Sequence, residues 1–581
     1  MNPTRVLKNL SLAGSTVVEH LGDDPALLAL QLSRRLPGRS VRPVAAAAAA
    51  APGVFLPAMA DLVRGRKDGV EERLARAAGK GLPQRGAIRL ADVAVAAGLP
   101  ELAEKILAYA PARTNGWAAA RARLCWYRGD MTGAIAALDR GTGTRAERHL
   151  RSRLASELSV FDGWTPTLAK IQGFDSEPNT VLHVLTNSLP TTGSGYAQRS
   201  QSLLHAQYKL GWKVHAVTRL GYPVQVGHLL APDVEELDGV VYHRLLPARL
   251  PKGMAARLQL QAEAVLRLAL EVKPAVLHTT THFVNGLVTK AVAEALDIPW
   301  VYEVRGQLAD TWASGRGEDA RRSERYQKFV AREAETMRAA GAVATLGLAM
   351  QSGVVAAGVP HEDIFLLPNA VGEDYLVDPL EPAAARKHLG LPVRGRFIGT
   401  VSSLVDYEGL DDLLRAFALL APRVPDALCL IVGDGAAAPG LKRLASELGI
   451  WEQTVFTGRV PRQNAHLYHQ ALDVFVVPRK DLPVTRAVTP LKPVEALASA
   501  RPVVFSDLPA LHEVVRAGVD GRAAPPENPD ILARILYEVL EDGASRESMA
   551  NEGRQHTVAT RTWTSLAETT VKRYMELGPS L

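Results

Sequence analysis

The fold is decided by residues 489–507, which read Thr489-Pro-Leu-Lys-Pro-Val-Glu-Ala-Leu-Ala-Ser-Ala-Arg-Pro-Val-Val-Phe-Ser-Asp507. Pro490 indicates a tight turn, and Pro493 stands where the first turn of a helix tolerates proline. Arg501-Pro502 ends that helix, and the apolar run at 503–505 is typical of a buried strand. The stretch therefore predicts a turn, a helix and a strand in direct succession.

Two charged residues lie at the beginning of this predicted helix. Lys492 and Glu495 are three positions apart, so they share one helical face near the N-terminus. Free backbone N–H groups and the helix dipole favour an anion at that end. Lysine would add charge for a phosphate, and glutamate would accept hydrogen bonds from a ribose diol. The pattern predicts a nucleotide-diphosphate site, although either residue alone would suit a solvated ion pair on an ordinary helix.

Outward from this stretch, strands and helices alternate from about residue 179 to the end, which predicts a parallel α/β architecture. Predicted strands lie at 180–186, 211–218, 275–278, 299–303, 342–345, 396–401, 427–433, 454–457, 474–477 and 503–505. Leu367-Pro-Asn369 is interpreted as a crossover between two such domains. A cleft between them, at the carboxyl ends of their strands, is where ligands bind such sheets.

Residues 1 to about 175 have a different composition, rich in Ala, Leu and Arg, which predicts an all-helical region. In two segments a helix ends at glycine, Gly98 or Gly129, and a small residue then begins the next helix. This arrangement resembles tetratricopeptide-type helical hairpins. A plain helical bundle fits equally well, and either form would serve to bind a protein partner.

Composition excludes several classes of protein. The 581 residues are 47% hydrophobic and 22% charged, which is typical of a globular protein of two to four domains. A net charge of +6 without a long basic run argues against nucleic acid as a partner. Two distant cysteines indicate a reducing compartment. Without a signal-peptide pattern or a spanning apolar run, we expect a cytoplasmic protein, with the inner face of the cytoplasmic membrane as an open alternative.

The residues from roughly 178 to 575 resemble the retaining glycosyltransferases of family 4, which have the GT-B fold. The resemblance implies a helical domain at 1–175, an acceptor domain at 176–375, a donor domain at 376–560, and a C-terminal helix, 561–581, crossing back to the acceptor domain. It also implies transfer of a sugar from a UDP- or GDP-sugar to an acceptor hydroxyl without a required metal or other cofactor. In this family the glutamate at 495 holds the nucleotide ribose, and front-face attack assisted by the leaving phosphate is the expected mechanism.

The same resemblance assigns roles in the first α/β domain. Gly193 and Gly195 belong to the glycine-rich loop that admits donor or acceptor closely. His278, His282 and Arg305 are expected to line the reacting side of the cleft, with Arg199 and Glu303 on the acceptor side. Two alternatives remain open, since His278 would equally suit a packed core and Arg305 an ion pair with Glu303.

The second α/β domain departs from the family pattern at its phosphate clamp. Ser403 and Glu408 replace the arginine and lysine that usually bind the diphosphate, and Ala487 replaces a glutamate. A diphosphate leaving group still needs positive charge. We therefore expect Arg479 and Lys492 to take over the clamp, with Lys480 and Arg486 as further candidates. The remaining predicted donor residues are Ser402, Gly433, Gly458, Arg459, Thr489, Pro490 and Leu491.

The prediction is a glycosyltransferase with a glycan or lipid-linked acceptor, probed against two alternatives. One is a GT-B phosphorylase or a sugar-nucleotide epimerase, and the other is a scaffold whose variant domain binds nucleotide without turnover. The segment from Arg244 to Lys273 carries Arg249, Lys252, Arg257 and Arg267 among apolar residues. It suggests a peripheral contact with an anionic membrane, and a solvated surface helix fits equally well.

Overall fold

The computed structural model of the chain describes residues 3–23 and 38–578. Residues 1–2 and 24–37 of the predicted helical domain, and 579–581 of the predicted C-terminal helix, lie outside them. The described chain has a mixed α/β fold, in which a helical region precedes two domains built on largely parallel sheets. The predicted fold class is therefore confirmed. Within the described ranges, every helix is too short or too polar to cross a bilayer.

The N-terminal region is helical wherever it is described, with short connections. Gly98 and Gly129 end their helices with positive φ values of 75° and 85°, a conformation that favours glycine. Ala103 and Ala134 are fully buried in the helices that follow. The helices are α1 (Pro3–Asp23), α2 (Gly38–Ala50), α3 (Phe55–Val63), α4 (Lys67–Gly79), α5 (Gln84–Ala96), α6 (Pro100–Leu107), α7 (Trp117–Arg128), α8 (Met131–Asp139) and α9 (Arg145–Phe161).

Both ends of this helical region are packed onto the first α/β domain. The Asn9 side chain in α1 donates hydrogen bonds to the carbonyls of Leu229 and Ala231, at 3.0 and 3.1 Å. At the end of α9, the ring of Phe161 packs edge-on against Phe283 and Phe329, with centroids 5.3 and 5.9 Å away. The helices therefore share a hydrophobic core with the domain that follows them.

The first sheet has eight strands in the order β3-β4-β2-β1-β5-β6-β7-β8, and only β3 runs antiparallel to its neighbour. Its strands are β1 (Glu177–Leu185), β2 (Lys213–Thr218), β3 (Val234–Leu237), β4 (Val240–His243), β5 (Pro274–Thr280), β6 (Trp300–Val304), β7 (Ala342–Thr345) and β8 (Ile364–Leu366). Its helices are α10 (Gly195–Lys209), α11 (Met254–Val272), α12 (Phe283–Leu296), α13 (Leu308–Ala313), α14 (Glu324–Ala339) and α15 (Leu348–Ala356).

The second sheet is parallel throughout, with six strands in the order β11-β10-β9-β12-β13-β14. Its strands are β9 (Arg396–Val401), β10 (Ala427–Val432), β11 (Thr454–Gly458), β12 (Val474–Val477), β13 (Val503–Ser506) and β14 (Gly521–Ala524). Its helices are α16 (Pro382–Leu389), α17 (Leu410–Leu420), α18 (Ala438–Glu447), α19 (Ala465–Gln470), α20 (Pro483–Ala487), α21 (Lys492–Ala498), α22 (Pro509–His512), α23 (Pro529–Glu541) and α24 (Gly543–Thr560).

The last helix, α25 (Trp563–Leu577), leaves the second domain and packs against α10 of the first. Trp563 and Tyr574 are buried there in the core of the first sheet. The crossover from the first domain to the second is fixed by Arg199, whose guanidinium donates to the carbonyls of Leu367 and Pro368 at 2.6 and 2.9 Å.

All the predicted strands are present, and those at 342–345, 396–401 and 474–477 have the predicted bounds. Four short strands escaped prediction: β3, β4, β8 and β14. The hairpin of β3 and β4 turns at Asp238-Gly239, where both residues have positive φ. An Asp-Gly pair between apolar runs is a hairpin signal that was available in the sequence.

The cationic segment from Arg244 to Lys273 is partly committed within the protein. Arg244 is buried and donates to Ser188 Oγ at 2.6 Å and Glu235 Oε2 at 2.8 Å. Arg257 is paired with Glu19 of α1 at 2.6 Å. The other three named cations, Arg249, Lys252 and Arg267, are exposed.

Candidate active site

The predicted site residues lie at the carboxyl edges of the two sheets. β1 is flanked by β2 and β5, and β9 is flanked by β10 and β12, so chain connections leave in opposite directions around each of these strands. Such switch points open a crevice beyond the carboxyl ends of the strands, where ligands bind.

The predicted turn and helix of the 489–507 stretch are confirmed, because α21 begins at Lys492. Lys492 Nζ lies 2.6 Å from Glu408 Oε1. The guanidinium of Arg479 donates to the same carboxylate, at 3.1 Å from Nη2 to Oε1 and 3.2 Å from Nε to Oε2. Arg479, Lys492 and Glu408 are henceforth called the clamp triad.

The charges of the clamp triad compensate one another. Burial alone would raise the pKa of Glu408, but Arg479 and Lys492 outweigh it and lower that pKa to about 2. Burial lowers the pKa of Lys492, which the charge of Glu408 opposes. The triad thus holds two positive charges against one negative charge at neutral pH.

This pairing changes the expectation for the phosphate clamp. The cations predicted to meet a diphosphate are already paired in the protein, because the residue that replaces the usual lysine is an acid within their reach. Lys480 is likewise bound to Asp411 at 2.8 Å, and Arg486 to Asp481 at 2.7 Å. The four candidate cations therefore carry counter-ions before any ligand arrives.

Two other arginines of this edge are exposed. Arg459 follows β11, and Arg462 lies three residues further on; no ion pair holds either side chain within the described ranges. The charge of Arg462 nevertheless reaches Glu495, whose pKa it lowers. Arg459 was among the predicted donor residues, whereas Arg462 was missed, since nothing in its local sequence marks it.

Glu495 lies in an enclosed polar pocket on the same helix. Burial raises its pKa to about 7, against the lowering effects of Arg462, Lys492 and a hydrogen bond from Tyr375. His469 Nε2 is 3.8 Å from Glu495 Oε2. Burial lowers the pKa of His469 to about 4, so that ring is neutral at pH 7. Tyr375 and His469 were not predicted, because they come from segments distant in sequence.

The glycines of the second domain bring its loops close together. A Cβ at Gly433 would lie 1.8 Å from the carbonyl oxygen of Ser402, and one at Gly435 would lie 2.1 Å from that of Leu404. Gly433 therefore packs the loop carrying Ser402 and Ser403 against the end of β10. Gly458, with φ of 72°, has open space where a side chain would stand.

In the first domain, a buried cluster of charges holds several predicted site residues. Glu303 Oε1 accepts from Arg199 at 2.6 Å, and Glu303 Oε2 accepts from Arg305 at 2.6 Å. Burial alone would raise the pKa of Glu303, but the two arginines hold it well below its ordinary value. His278 Nε2 is 3.4 Å from Glu303, and its Nδ1 is bonded to the Tyr574 hydroxyl.

These positions correct four of the predicted roles. His278, Arg199 and Glu303 are almost fully buried, and the Arg305 side chain is only 6% exposed. They do not line the cleft as predicted, because the carboxylate of Glu303 draws the arginines and the histidine into the core. The packed histidine and the Arg305–Glu303 pair, both open alternatives from the sequence, describe the structure.

His282 and the glycine loop do face open space. His282 follows β5 and lines a cavity of about 500 Å³. Burial, with the charges of Arg325 and Arg219, lowers the pKa of His282 to about 4. Gly193 and Gly195 are exposed, and a Cβ on either would meet nothing within 4 Å.

Asn369 connects the two domains. Its Nδ2 donates to the carbonyl of Thr489 at 2.8 Å, and its Oδ1 accepts from Arg199 Nη1 at 3.0 Å. The turn formed by Thr489, Pro490 and Leu491 is thereby tied to the charge cluster of the first domain. Within the described ranges, no group of three or more His, Cys, Asp or Glu side chains is arranged to hold a metal ion.

Two family models match the α/β part of the chain. Residues 194–370 match the glycosyl transferase 4-like domain, and residues 383–556 match glycosyl transferases group 1. The two α/β domains are thus of the family-4 glycosyltransferase type. Both models begin beyond the helical region.

Comparisons with individual proteins agree with this class. Over 200 residues the chain is 32% identical to the GDP-mannose-dependent alpha-(1-6)-phosphatidylinositol monomannoside mannosyltransferase of Mycolicibacterium smegmatis, covering 34% of this chain and 52% of that protein. The chain thus spans about half the length of the curated relatives it matches.

Solved structures share the fold. Sucrose-phosphate synthase from Thermosynechococcus elongatus aligns with a TM-score of 0.57 at 20% identity, covering 68% of this chain and 99% of that one. HepE of Anabaena, solved in complex with UDP, aligns with a TM-score of 0.52 at 17% identity, covering 68% and 100%. The two α/β domains have the GT-B fold.

Proposed function

We propose that this chain is a retaining glycosyltransferase that transfers a sugar from a UDP- or GDP-sugar to a hydroxyl of a glycan or lipid-linked acceptor. The carrying observation is the placement of Lys492 and Glu495 on the first turn of α21, at the carboxyl edge of the second sheet. Support comes from the mannosyltransferase relative, whose name specifies GDP-mannose, and from the neighbour solved with UDP.

In this proposal the nucleotide is held by the second domain. Glu495 in its ionised form accepts hydrogen bonds from the ribose hydroxyls. The backbone N–H groups of Thr489 and Leu491 point toward the diphosphate, while Pro490 has none to offer. Because the clamp triad retains one net positive charge, it still favours a diphosphate. Arg459 and Arg462 add exposed charge at the rim.

The acceptor is proposed to bind on the opposite wall, in the first domain. His282 remains the candidate for the reacting side of the cleft, because it is the member of the predicted catalytic set that lines a cavity. Its low pKa leaves the ring neutral at pH 7, able to take a proton from an attacking hydroxyl. Gly193 and Gly195 leave room for either substrate to approach the backbone.

We place the reaction on the cytoplasmic side of the membrane, in synthesis of a cell-envelope glycan. The relative's printed name, which contains a phosphatidylinositol monomannoside, supports a lipid-linked acceptor. The exposed Arg249, Lys252 and Arg267 would serve contact with an anionic surface. The helical hairpins would serve a protein partner.

A second candidate is favoured by the clamp triad itself. Because Glu408 already neutralises one of its two cations, the donor site is less positive than a site with the usual arginine and lysine. A non-catalytic scaffold that binds nucleotide without turnover would have such a site.

The deciding experiment is incubation of the purified chain with a panel of UDP- and GDP-sugars, following release of nucleoside diphosphate. The proposal expects slow hydrolysis or transfer with at least one donor, abolished in Glu495→Gln and kept in Glu447→Gln. Glu447 is exposed on α18 and serves as the matched control. Nucleotide binding with no turnover of any donor would favour the scaffold, and sugar phosphate formed from glycan and phosphate would favour a phosphorylase.

A further inference from the structure

The cavity beside His282 is built jointly by the first sheet and the helical region. Thr186, Arg219 and His282 lie just beyond the carboxyl ends of β1, β2 and β5 and form one side of it. The facing wall comes from α1 and α9, which contribute Glu19, Arg153, Glu157 and Phe161. The lining residues belong to the helical region and the first α/β domain, so the donor-binding domain leaves this space to another ligand.

The lining of this cavity is positively charged. It contains four arginines, Arg153, Arg219, Arg257 and Arg325, against two glutamates. Arg325 Nη1 donates to Glu157 Oε1 at 3.1 Å, and Arg257 donates to Glu19 at 2.6 Å. Two further arginine charges, those of Arg153 and Arg219, thus exceed the acidic groups of the lining. An excess of positive charge in a concave, partly buried site attracts an anion.

Polar groups in the cavity also call for a ligand. His282 Nδ1 is buried and has no hydrogen-bond partner in the protein. Such an atom is costly to leave unsatisfied. Asn285 and Gln261 add amide groups to the same lining, and Phe283 and Phe329 give it an apolar floor. Amide and imidazole groups over aromatic rings are suited to the hydroxyls and faces of a sugar.

We propose that this cavity is the acceptor pocket, that it selects an acceptor carrying a phosphate or carboxylate group, and that α9 of the helical region supplies part of that selectivity through Arg153. This inference rests on the proposed glycosyl transfer and deepens it. The helical region is then a specificity element of the enzyme as well as a packed neighbour.

The test uses three related probes: glucose 6-phosphate, glucuronate and glucose. Calorimetry should show the phosphate or the carboxylate sugar binding the full-length chain about tenfold more tightly than glucose, since a charge-assisted hydrogen bond is worth that factor or more. Whichever of the two anions binds more tightly identifies the acidic group. Equal binding of the three sugars, or binding of none, would overturn the proposal.

Substitutions locate the binding. Arg153→Gln and Arg219→Gln should each weaken the anionic sugar about tenfold. Arg148→Gln, an exposed position on α9 outside the cavity, should leave it unchanged. Thermal melting of each variant, matched to the parent chain, excludes loss of folding. Unchanged affinity in Arg153→Gln would remove the helical region from the site and contradict the proposal.

Nucleotide titrations separate this inference from the proposed function. UDP and GDP affinity should be the same in Arg153→Gln, Arg219→Gln and the parent chain. Absence of nucleotide binding in all of them, with anion selectivity retained, would sink the transferase and leave the pocket standing. Displacement of the anionic sugar by UDP would place it in the donor site and overturn the pocket.

Discussion

Lys492 Nζ lies 2.6 Å from Glu408 Oε1, so the lysine of the donor motif is paired with an acid standing where related domains have a lysine. Arg479 shares that acid at 3.1 Å. The site has therefore exchanged cations that meet the diphosphate directly for an internal ion cluster. Its affinity for nucleotide depends on how strongly Glu408 competes with phosphate for the same two partners.

Removing the negative charge of the clamp triad should strengthen nucleotide binding. In Glu408→Gln, Arg479 and Lys492 lose their competitor, and removal of one like charge near a diphosphate is worth ~1.4 kcal/mol, or about tenfold in affinity. Calorimetric titration with UDP and GDP measures the change. The same variant should unfold more easily, by ~2–4 kcal/mol, because two buried cations lose their counter-ion.

Asp426→Asn is the control for that substitution, since Asp426 pairs with Arg396 at the opposite end of the second sheet. Its nucleotide affinity should equal that of the parent chain. Weaker nucleotide binding in Glu408→Gln, with folding intact, would mean that Glu408 positions its partners for phosphate and does not compete with it.

Nucleotide affinity should rise as the pH increases through about 7. The pKa of Glu495 is raised to about 7 by burial, so the group is protonated below that pH and ionised above it. Only the ionised carboxylate accepts hydrogen bonds with both oxygens from a ribose diol. Titrations of nucleotide at several pH values between 5.5 and 8.5 measure the effect.

Glu495→Gln separates this effect from the titration of the nucleotide's own phosphate, which both proteins experience. The variant should lack the part of the pH dependence that belongs to residue 495. Parallel pH curves for the two proteins would show that Glu495 does not titrate on binding.

The alternation of apolar runs was enough to predict the class of fold and the bounds of strands such as β9 and β12, because those strands are buried on both faces. The start of α21 was predicted from its prolines. The clamp triad was not, because Arg479 and Glu408 are 71 residues apart and meet only in the folded domain. Serine and glutamate at the clamp positions signalled a change there, but its form depends on tertiary distance. His278 and Arg305 were placed wrongly for the same reason, since only the packing of Glu303 shows where they turn.

Replacing Glu303 should destabilise the first domain strongly. In Glu303→Gln, Arg199 and Arg305 remain buried without their counter-ion, and the free energy of unfolding should fall by ~3–5 kcal/mol. The arginines hold the pKa of Glu303 below its ordinary value, so its contribution is complete above the unfolded pKa and is lost as the pH falls below it. Denaturant unfolding at pH 7 and at acidic pH measures both effects.

Glu177→Gln provides the matched comparison, because its pair with Lys213 is exposed and should contribute less than ~1 kcal/mol. Equal stability losses in the two variants would contradict a special role for the buried cluster.

The helical region and the first α/β domain should unfold together. Phe161 ends α9 and packs into the core of that domain, so Phe161→Ala should cost ~3–4 kcal/mol and lower the melting of both parts in one transition. Calorimetry combined with circular dichroism follows the unfolding. A separate helical transition, unmoved by the substitution, would mean that the two parts are independent.

The central claim is that α21 and the clamp triad form a donor site for a nucleoside diphosphate sugar, and titration of UDP and GDP into the parent chain, Lys492→Ala, Arg479→Ala and Lys387→Ala tests it most directly. Lys387 is exposed on α16, away from the cleft, and its variant should bind like the parent. The account predicts binding of one of the two nucleotides, weakened about tenfold or more in both Lys492→Ala and Arg479→Ala. Unchanged affinity in both variants, or no binding of either nucleotide to the parent chain, would contradict it.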